Sequence, residues 1–474
     1  MRPFPAPAIV TLKRSCCLKD LLTKGSIPIL LGTGGVGKTT IAAALGLAGA
    51  SANLNTAVIT VDPSERLRDA LGLARLGGQP TRIGGRQLAA AGLDRRLRLS
   101  AMMLDVTGAW DAIVERFIAD PATRRRIFDN PFYKSLTTEF AGSEAFAALQ
   151  QLYDLHQTGA FELEVVDTPP AAHSFEFLQT PARLIRLLDS RTARWLFTPS
   201  LSAGRIAMKV ASKAAQFVVR ELERFAGGNV LSTITDFFAA AADSMDAIVD
   251  RLHKTEALLH SPAVRFVMVT TAEPDRIRQA RELLAQMDSE GLKLAAIVIN
   301  RFLDERTWSA VADFAERPLS HLAEIRELRS SLARDDGDAG GFGRLVHHFE
   351  EYRDRTLDEI ERVAAFAREL PPGVKLAIAP EIEAGVRDLA ALSRVSRYVT
   401  SGTAILKPLE AAASRLRVMT SFVDFLIELI VTPPEAGLGG SARRNRAPPR
   451  AGFDTKSPSH CRLRGATMAD NRPL

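Results

Sequence analysis

Residues 32–40 are Gly32-Thr33-Gly34-Gly35-Val36-Gly37-Lys38-Thr39-Thr40, and this stretch decides the fold. It fits the pattern GxxxxGK[ST], with an apolar, strand-like run before it at 27–31 and a helical pattern after it at 41–48. Glycine lets backbone N–H groups approach an anion without a clash from Cβ, and a helix N-terminus adds partial positive charge. The stretch therefore predicts a phosphate-binding loop between a strand and a helix, rather than a glycine-rich turn that binds nothing.

Two side chains of this loop are candidates for chemistry. We expect the ammonium group of Lys38 to reach the β- and γ-phosphates of a nucleotide, which makes it a candidate catalytic residue. We expect the hydroxyl of Thr39 to be a ligand of Mg²⁺. All residues of the loop, from Gly32 to Thr40, are thus candidate nucleotide-binding residues.

An aspartate follows the next strand-like run, at 57–61. Asp62 precedes Pro63 and Ser64. At the end of a strand beside a phosphate site, its carboxylate is suited to orienting an attacking water or holding a water of magnesium. The alternative role is a helix N-cap ahead of the proline.

A second aspartate ends the apolar run at 163–166. Asp167 begins Asp167-Thr168-Pro169-Pro170, and a carboxylate in this position is typical of a magnesium-associated site. The loop after it is suited to sensing a γ-phosphate and moving on hydrolysis. His173 in that loop is a candidate hydrogen-bonding residue of the switch, with an ordinary surface histidine as the alternative.

Short apolar runs recur along the chain, each followed by a helical pattern. Near-continuous apolar strands separated by helices are typical of a parallel sheet covered on both faces. Ligands bind at the carboxyl ends of such strands, which is where each motif above lies. We therefore predict an α/β fold, a P-loop NTPase with a mostly parallel sheet flanked by helices. The predicted strands span 27–31, 57–61, 163–166, 264–270, 294–299 and 376–378.

Two long segments, at about 74–150 and 190–258, interrupt this alternation. Both have a helical character, so we predict a helical subdomain inserted between strands. The chain is divided into an N-terminal extension (1–16), one ATPase domain (17–400) and a C-terminal extension (401–474). In the last, an amphipathic segment precedes a tail rich in Pro, Gly and Arg, whose composition predicts disorder.

Composition excludes several classes of protein. The chain has 474 residues, of which 46% are hydrophobic and 24% charged, values of a soluble globular protein. The net charge of +6 is concentrated after residue 400, so we expect no nucleic-acid partner. The three cysteines, Cys16, Cys17 and Cys461, form no CxxC pair, so we expect neither disulfides nor a structural zinc site.

The sequence has no long apolar segment of the kind found in signal peptides or membrane spans. The nearest candidate for a span, residues 418–431, is too short and carries Asp424 and Glu428. We therefore expect a cytoplasmic protein, for which a peripheral position at the inner face of the membrane is an option.

Three motifs, in order, resemble one family. GTGGVGKTT (32–40), VDPSERLRDALGL (61–73) and VVDTPPAAHSFEFL (165–178) are similar to the arsenite-pump ATPases, a family that includes the targeting factor for tail-anchored membrane proteins. The resemblance covers roughly residues 17–400. It implies an ATP hydrolase that uses Mg²⁺ and works as a homodimer, with ATP at the interface and opening and closing through the cycle.

The same resemblance implies roles for particular residues. By matching motif positions, Asp62 activates the attacking water and Asp167 lies beside magnesium. Glu273 matches a position that contacts nucleotide across the dimer. Asn300 matches the asparagine that binds adenine, because an amide can donate to and accept from the base edge together; a turn residue at a strand end is the alternative. Pro380 matches the loop that covers the base.

The chain departs from the family pattern in three respects. Thr33 stands where the family has a lysine that reaches the partner's phosphates, and Glu65 stands where a histidine is usual. Neither a cysteine triad for arsenite nor a CxxC zinc clamp is present, so we do not expect thiolate capture of a metalloid. Because the chain has one P-loop where the arsenite pump has two nucleotide halves, we predict that the second half is another copy of the chain.

Several functions fit this reading. The ATPase is expected to couple hydrolysis to a membrane transporter subunit or to a hydrophobic client protein. A positioning ATPase of the MinD/ParA kind shares the loop and fold, and residues 416–430 are its candidate membrane helix. A nucleotide-binding regulator with little turnover is motivated by Thr33. The apolar residues that motivate the client, for which an ordinary core is the alternative, are Phe217, Val218, Phe237 and Phe238.

Overall fold

The computed structural model describes residues 17–61, 65–104, 106–138, 143–168, 185, 230–304, 339–382 and 385–401. The predictions made for 1–16 and 402–474, including the amphipathic segment, lie outside these residues. The strands within them are β1 (Ile27–Leu31), β2 (Thr56–Thr60), β3 (Thr81–Arg82), β4 (Leu99–Met103), β5 (Leu163–Asp167), β6 (Val264–Thr270), β7 (Leu294–Asp304) and β8 (Lys375–Glu381).

These eight strands form one sheet in the order β3-β4-β2-β5-β1-β6-β7-β8. Neighbouring strands are parallel, except β3 and β4, which are antiparallel. The mostly parallel sheet confirms the predicted fold class. Because β1 lies between β5 and β6, the loop that follows β1 emerges at the middle of the carboxyl edge of the sheet.

Helices cover both faces of the sheet. On one face pack α1, α2, α3 and α12, and on the other α7, α9, α10 and α11. The described helices are α1 (Lys38–Ser51), α2 (Arg66–Ala70), α3 (Gly85–Ala90), α4 (Val106–Phe117), α5 (Pro121–Asp129), α6 (Pro131–Thr138), α7 (Ser143–Thr158), α8 (Val230–Ala241), α9 (Met245–Leu259), α10 (Pro274–Ser289), α11 (Ala339–Glu369) and α12 (Leu389–Thr400), with short 3-10 turns at Leu18–Leu21 and Ala242–Ser244.

Strand β1 shows why the sheet is covered on both sides. Its side chains alternate between the two cores: Ile27, Ile29 and Leu31 pack with α10 and α11, whereas Leu30 packs with α1 and α12. This is the period-two alternation of a strand. All five residues of β1 are buried, so the strand that carries the loop is held by apolar contacts on both faces.

The prediction that residues 74–150 are helical is wrong for its first part, which contains β3 and β4. Strand β4 consists of Leu, Ser, Ala, Met and Met, and its Leu, Ala and Met residues favour helix in isolation. Its pairing with β2, from Thr56↔Leu99 to Thr60↔Met103, overrides that local preference. The remainder of the segment contains α4 to α7.

A third core lies among α4, α5, α6, α7 and α9, away from the sheet. Phe237 of α8 packs on this core, with its ring centroid 5.3 Å from that of Phe132 and 6.2 Å from that of Tyr133. Of the four apolar residues that motivate a client site, Phe237 is therefore partly buried against this core. Phe217 and Val218 lie outside the described residues, and so does the side chain of Phe238.

Polar contacts join this helical core to α7, the helix that precedes β5. Gln150 is 2% exposed; its Nε2 donates to Thr255 Oγ1 of α9 at 3.1 Å. Arg251 of α9 donates to Gln150 Oε1 at 2.8 Å and to Asp154 Oδ1 at 2.6 Å. These contacts hold α9 against α7. Along the sequence, α7 is followed by β5, the strand that ends in Asp167.

Strand β5 also buries a carboxylate that lies away from the phosphate loop. Glu164 is 2% exposed, and its Oε2 lies 2.9 Å from Nδ1 of His156 on α7. Burial raises the pKa of Glu164 above its usual value, and the nearby histidine offsets this in part. Glu162, two residues earlier, is the opposite case: a hydrogen bond from the backbone N–H of Asn55, followed by the bond from Lys24, lowers the pKa of Glu162.

The two carboxylates predict opposite pH dependences of stability. Because the folded pKa of Glu164 is raised, the stability it contributes is present below its unfolded pKa, about 4.3, and is lost as pH rises through the folded pKa. Glu164→Gln is therefore expected to gain thermal stability relative to wild type as pH rises from 4.5 to 8. Glu162→Gln is the matched control: its pKa is lowered, so the variant should lose stability at neutral pH, and the loss should shrink as pH falls. Thermal unfolding from about pH 3 to pH 8 checks both, because the loss in Glu162→Gln shrinks only below the unfolded pKa of about 4.3. Two parallel pH profiles would contradict the assignment.

Candidate functional site

The predicted phosphate loop has the expected structural context. It connects β1 to α1, and α1 begins at Lys38 with Gly37 as its N-cap. Three of its glycines have positive φ angles: 151° at Gly32, 81° at Gly35 and 87° at Gly37. L-residues with a Cβ rarely adopt such values, so the local sequence selects this loop conformation.

Two of these glycines are also required by space. A Cβ on Gly32 would lie 2.2 Å from the backbone oxygen of Val269 in β6. A Cβ on Gly37 would lie 2.2 Å from the Nδ2 atom of Asn300 in β7. The loop therefore packs directly against the ends of two neighbouring strands. Gly35, by contrast, has open space around it and is exposed.

Lys38 lies inside the loop. The residue is 7% exposed, and its Nζ donates to the carbonyl oxygens of Gly32 at 2.9 Å and of Thr33 at 3.3 Å. These bonds hold a positive charge within the curl of the backbone. A buried ammonium group at the N-terminus of a helix is suited to binding the phosphate groups of a nucleotide.

Thr33 occupies the position of the family's signature lysine. Within the described part of the chain its hydroxyl oxygen is buried and has no hydrogen-bond partner. The side chain therefore offers no cation and no exposed polar atom to a second subunit. Any positive charge that stabilises a partner's phosphates has to come from another residue.

Asp167 lies next to the loop. In the sheet it pairs with Leu30 of β1 and with Thr60 of β2, and it is 1% exposed. Thr60 Oγ1 donates to Asp167 Oδ2 at 3.3 Å, and the hydroxyl of Thr168 donates to the Leu30 carbonyl at 2.6 Å. The carboxylate is thus held beside the start of the loop by the Thr60 hydroxyl and by the pairing of β5 with β1 and β2.

Sequence reasoning missed Thr60 and Thr168. Both are hydroxyl residues at strand ends. Thr168 lies within the third family motif, which assigns it no role, and Thr60 lies outside all three motifs. Their role depends on the register that sets Thr60 opposite Asp167. Because the predicted strands end at 61 and 166, aligning their ends would set Thr60 opposite Val165, so only the observed register reveals this contact.

Oxygen donors suited to a hard cation lie at this edge of the sheet. They are the carboxylate of Asp167 and the hydroxyl of Thr39, which is in the first turn of α1. Magnesium takes carboxylate and hydroxyl oxygens together with phosphate oxygens, so this donor set fits Mg²⁺. Among the described residues, no group of three or more His, Cys, Asp or Glu side chains forms a metal site on its own.

Asn300 lies at the carboxyl end of the sheet, as predicted, but its observed partner is the loop. It is 6% exposed, and its Nδ2 donates to the carbonyl oxygen of Val36 at 2.7 Å. Strand β7 continues past the predicted end at 299 to Asp304. In the neighbouring strand, Ala379 pairs with Asn300, so Pro380 follows directly beside it.

Glu273 lies on the surface at the end of β6. It is the N-cap residue of α10, and its side chain is 70% exposed, with Arg276 Nε 3.8 Å away. The preceding carbonyl, of Ala272, accepts a hydrogen bond from Arg362 Nη1 of α11 at 2.8 Å. Arg362 thereby fixes the segment that carries Glu273, and nothing in the sequence of the long helix α11 indicated this contact.

The remaining predicted site residues, Asp62 and His173, lie outside the described residues. Strand β2 ends at Thr60, opposite Asp167, and Val61 N donates to the Asp167 carbonyl at 3.2 Å. The chain therefore reaches residue 61 at the same edge as the loop. Glu65, the other departure from the family pattern, is exposed and forms an ion pair with Arg68.

A central strand, a glycine-dependent loop, an enclosed lysine and a neighbouring buried aspartate together define a P-loop nucleoside triphosphatase. The profile of the anion-transporting ATPase family, the ArsA-type ATPases, matches residues 27–331. The chain belongs to this family and is an ATP hydrolase. The predicted family resemblance is thereby confirmed.

Individual relatives are more distant. The chain is 24% identical over 290 residues to ATPase GET3 of Malassezia globosa, covering 60% of this chain and 76% of the relative. It is 24% identical over 315 residues to a protein of Prosthecochloris vibrioformis named as an arsenical pump-driving ATPase, covering 64% and 67%. It is 28% identical over 170 residues to ATPase ASNA1 homolog 2 of Paramecium tetraurelia, covering 35% of this chain and 47% of the relative.

Proposed function

We propose that this protein is a Mg²⁺-dependent ATPase that works as a nucleotide-switched homodimer and couples hydrolysis to a membrane-associated partner. The observation that carries the proposal is the loop geometry: the Lys38 ammonium group is held within the curl of residues 32–37, and the Asp167 carboxylate lies at the root of the same loop. Cation, carboxylate and helix N-terminus are the elements that phosphoryl transfer requires.

We assign separate roles in ATP hydrolysis to individual residues of the chain. Lys38 binds the β- and γ-phosphates, and the backbone N–H groups of the loop orient them. Thr39 and Asp167 hold Mg²⁺, which neutralises charge on the phosphate oxygens when it is bound. Asp62 orients the attacking water and accepts its proton. Support for Asp62 comes from its place two residues after Thr60, the residue that pairs with Asp167.

The homodimer is supported by two features of the chain. It has one P-loop, whereas the family resemblance implies that ATP is bound at the interface between two halves. Glu273, the residue that matches the contact across this interface, has a side chain that is 70% exposed and so is accessible to a second chain.

The partner is a membrane transporter subunit or a hydrophobic membrane-protein client. The names of the relatives support each: arsenical pump-driving ATPase for the first, GET3 and ASNA1 for the second. Cys17, the one cysteine in the described residues, donates its thiol to the Thr400 carbonyl at 3.0 Å, which gives no support to an arsenite site. The family match favours both partners over a MinD/ParA-like positioning ATPase, whose proposed membrane helix lies outside the described residues.

We further propose that the protein works in the cytoplasm, at the inner face of the membrane where either partner would be met. No helix in the described part of the chain combines the length and apolar character needed to cross a bilayer. ATP-dependent co-sedimentation with vesicles that contain a tail-anchored helix, compared with empty vesicles, distinguishes a client from a lipid surface.

The proposed function is tested by ATP hydrolysis with and without Mg²⁺, with the mass of the protein measured in both conditions. Asp62→Asn is expected to lower turnover by about 10²-fold or more, because the variant cannot accept a proton, while ATP binding is retained. Asp69→Asn is the matched control: this carboxylate of α2 is 64% exposed and pairs with Arg68, so turnover should be unchanged. Magnesium-independent turnover, or a monomeric mass at saturating ATP and Mg²⁺, would overturn the corresponding part of the proposal.

A further inference from the structure

The amide of Asn300 makes a buried contact with the phosphate loop itself. Its Nδ2 lies 2.7 Å from the backbone oxygen of Val36, a residue 264 positions earlier in the chain. Val36 is 1% exposed and Asn300 6% exposed. A hydrogen bond shielded from water in this way is costly to lose, because the carbonyl would remain buried without a partner.

The direction of this hydrogen bond is set by chemistry. A backbone carbonyl can only accept, so the amide must present its nitrogen to Val36 and not its oxygen. One N–H of Asn300 is therefore committed to the loop. Its oxygen and its second N–H are left for a base edge, so a single side chain can contact the phosphate loop and the base together.

A second contact between the same partners is steric. The Cα of Gly37 approaches the amide so closely that a Cβ there would lie 2.2 Å from Nδ2. The amide thus touches the loop at two successive residues, Val36 and Gly37. Gly37 is the N-cap of α1 and directly precedes Lys38, so the contact is made where the loop turns into the helix.

The backbone of β7 holds Asn300 firmly. Asn300 pairs with Ala379, and the pairing then shifts register before Asp304. In the bulge, Arg301 and Leu303 have left-handed φ angles of 53° and 55°, and the side chain of Phe302 between them is fully buried. Left-handed conformations at non-glycine residues persist only where the surroundings enforce them, and they occur often at functional sites.

We propose that Asn300 is a positioning residue for the phosphate loop, in addition to any contact with the base. It fixes the Val36–Gly37 backbone, and through it the start of α1 and Lys38. Its effect on phosphate binding therefore does not require a base. When a base is bound, the same side chain connects the base site to the phosphate loop. This inference rests on the proposed nucleotide-binding function of the loop.

The test separates phosphate from base by using inorganic tripolyphosphate with Mg²⁺ as a probe, beside ATP. Asn300→Asp keeps the size of the side chain but sets an oxygen against the Val36 carbonyl, and Asn300→Ala removes the bond. Both variants are expected to bind tripolyphosphate about tenfold more weakly than wild type, by titration calorimetry. Asn300→Ala decides the result, because the carboxylate of Asn300→Asp also repels the polyanion. A residue that contacts only the base would leave tripolyphosphate affinity unchanged and weaken ATP alone, which would overturn the proposal.

Thr255→Val is the matched control for loss of a buried polar contact. Thr255 is 1% exposed and bonds to Gln150, far along the chain from the loop. The Thr255→Val variant should bind tripolyphosphate with the affinity of wild type. Circular dichroism and thermal unfolding establish that each variant is folded at the temperature of the titration. If Asn300→Ala does not fold, the same comparison is made with Asn300→Leu, which is close in size and carries no charge.

A double-mutant cycle tests the steric contact. Gly37→Ala adds a Cβ against the amide and also strains a φ angle of 87°. In an Asn300→Ala background only the strain remains, because the atom that the Cβ meets is gone. The loss of tripolyphosphate affinity caused by Gly37→Ala should therefore be several-fold smaller in that background. If the losses of tripolyphosphate affinity in the two single variants multiply in the double variant, the two residues do not interact.

Hydrogen exchange of the nucleotide-free protein gives a readout that does not depend on ligand. The backbone amides of residues 33–38 should exchange about tenfold faster in Asn300→Asp than in wild type, since the loop loses a fixed point. Unchanged exchange would overturn the inference. If wild type binds neither ATP nor tripolyphosphate, the proposed function fails, and the exchange result still decides whether Asn300 holds the loop.

Discussion

Lys38→Ala is expected to lower the rate of ATP hydrolysis by about 10²–10³-fold, the loss that follows removal of one preorganised donor from a transition-state site. Lys38 is 7% exposed, and its ammonium group is bonded to the carbonyls of Gly32 and Thr33. Its removal takes away the charge that meets the phosphates and also the bridge across the loop. Steady-state hydrolysis at saturating ATP and Mg²⁺ measures the effect.

Two further lysine variants make this prediction specific. Lys24→Ala removes the same charge from a surface position, 77% exposed and paired with Glu162, and should leave hydrolysis unchanged. Lys38→Arg keeps the charge but replaces a compact ammonium with a planar fork, so it should also lose most activity. Hydrolysis within threefold of wild type in Lys38→Ala would rule out this loop as the catalytic site.

Gly32→Ala is expected to abolish productive nucleotide binding and to destabilise the fold. The new Cβ would lie 2.2 Å from the backbone oxygen of Val269 and 3.2 Å from its carbonyl carbon. Both are main-chain atoms of β6, beside β1 in the middle of the sheet, so the loop has to move. Overpacking of this kind costs about 1–3 kcal/mol or more, and a shift of about 1 Å at a reacting centre costs about 10²-fold in rate.

Gly25→Ala is the control for backbone strain without a clash. Gly25 also has a positive φ, 79° compared with 151° at Gly32, and a Cβ there meets nothing within 4 Å. It should cost about 1–2 kcal/mol of stability and leave hydrolysis intact. Chemical denaturation and ATP titration of both variants make the comparison. Equal effects of the two substitutions would mean that the contact with β6 does not restrict the loop.

Thr33, which stands in place of the family's signature lysine, affects how ATP hydrolysis can be activated in this chain. Thr33 presents a buried hydroxyl where the family signature has a lysine. If the dimer hydrolyses ATP, another cation has to stabilise the partner's phosphates, or turnover has to be slower than the signature lysine allows.

The P-loop and the central strands were predictable because their signals are local. Gly32, Gly35 and Gly37 are required by φ angles within the loop, and the apolar run of β1 coincides with the strand. Strand β4 was not predictable in this way, because its Leu, Ala and Met residues favour helix until β2 pairs with them. Hydrogen bonding between strands distant in sequence outweighs preferences of a few tenths of a kcal/mol per residue.

The sequence alone specifies β1, the glycine-dependent loop after it and the start of α1 at Lys38, because each of these depends on residues only a few positions apart. It is also enough to mark Asp167 and Asn300 as polar residues at strand ends. What each of them touches was decided by the sheet: register sets Asp167 opposite Leu30 and Thr60, and β7 brings Asn300 to a loop 264 residues away. Contacts of that range form only when the whole sheet has closed around its two cores, because burial of the intervening apolar strands determines which distant residues meet.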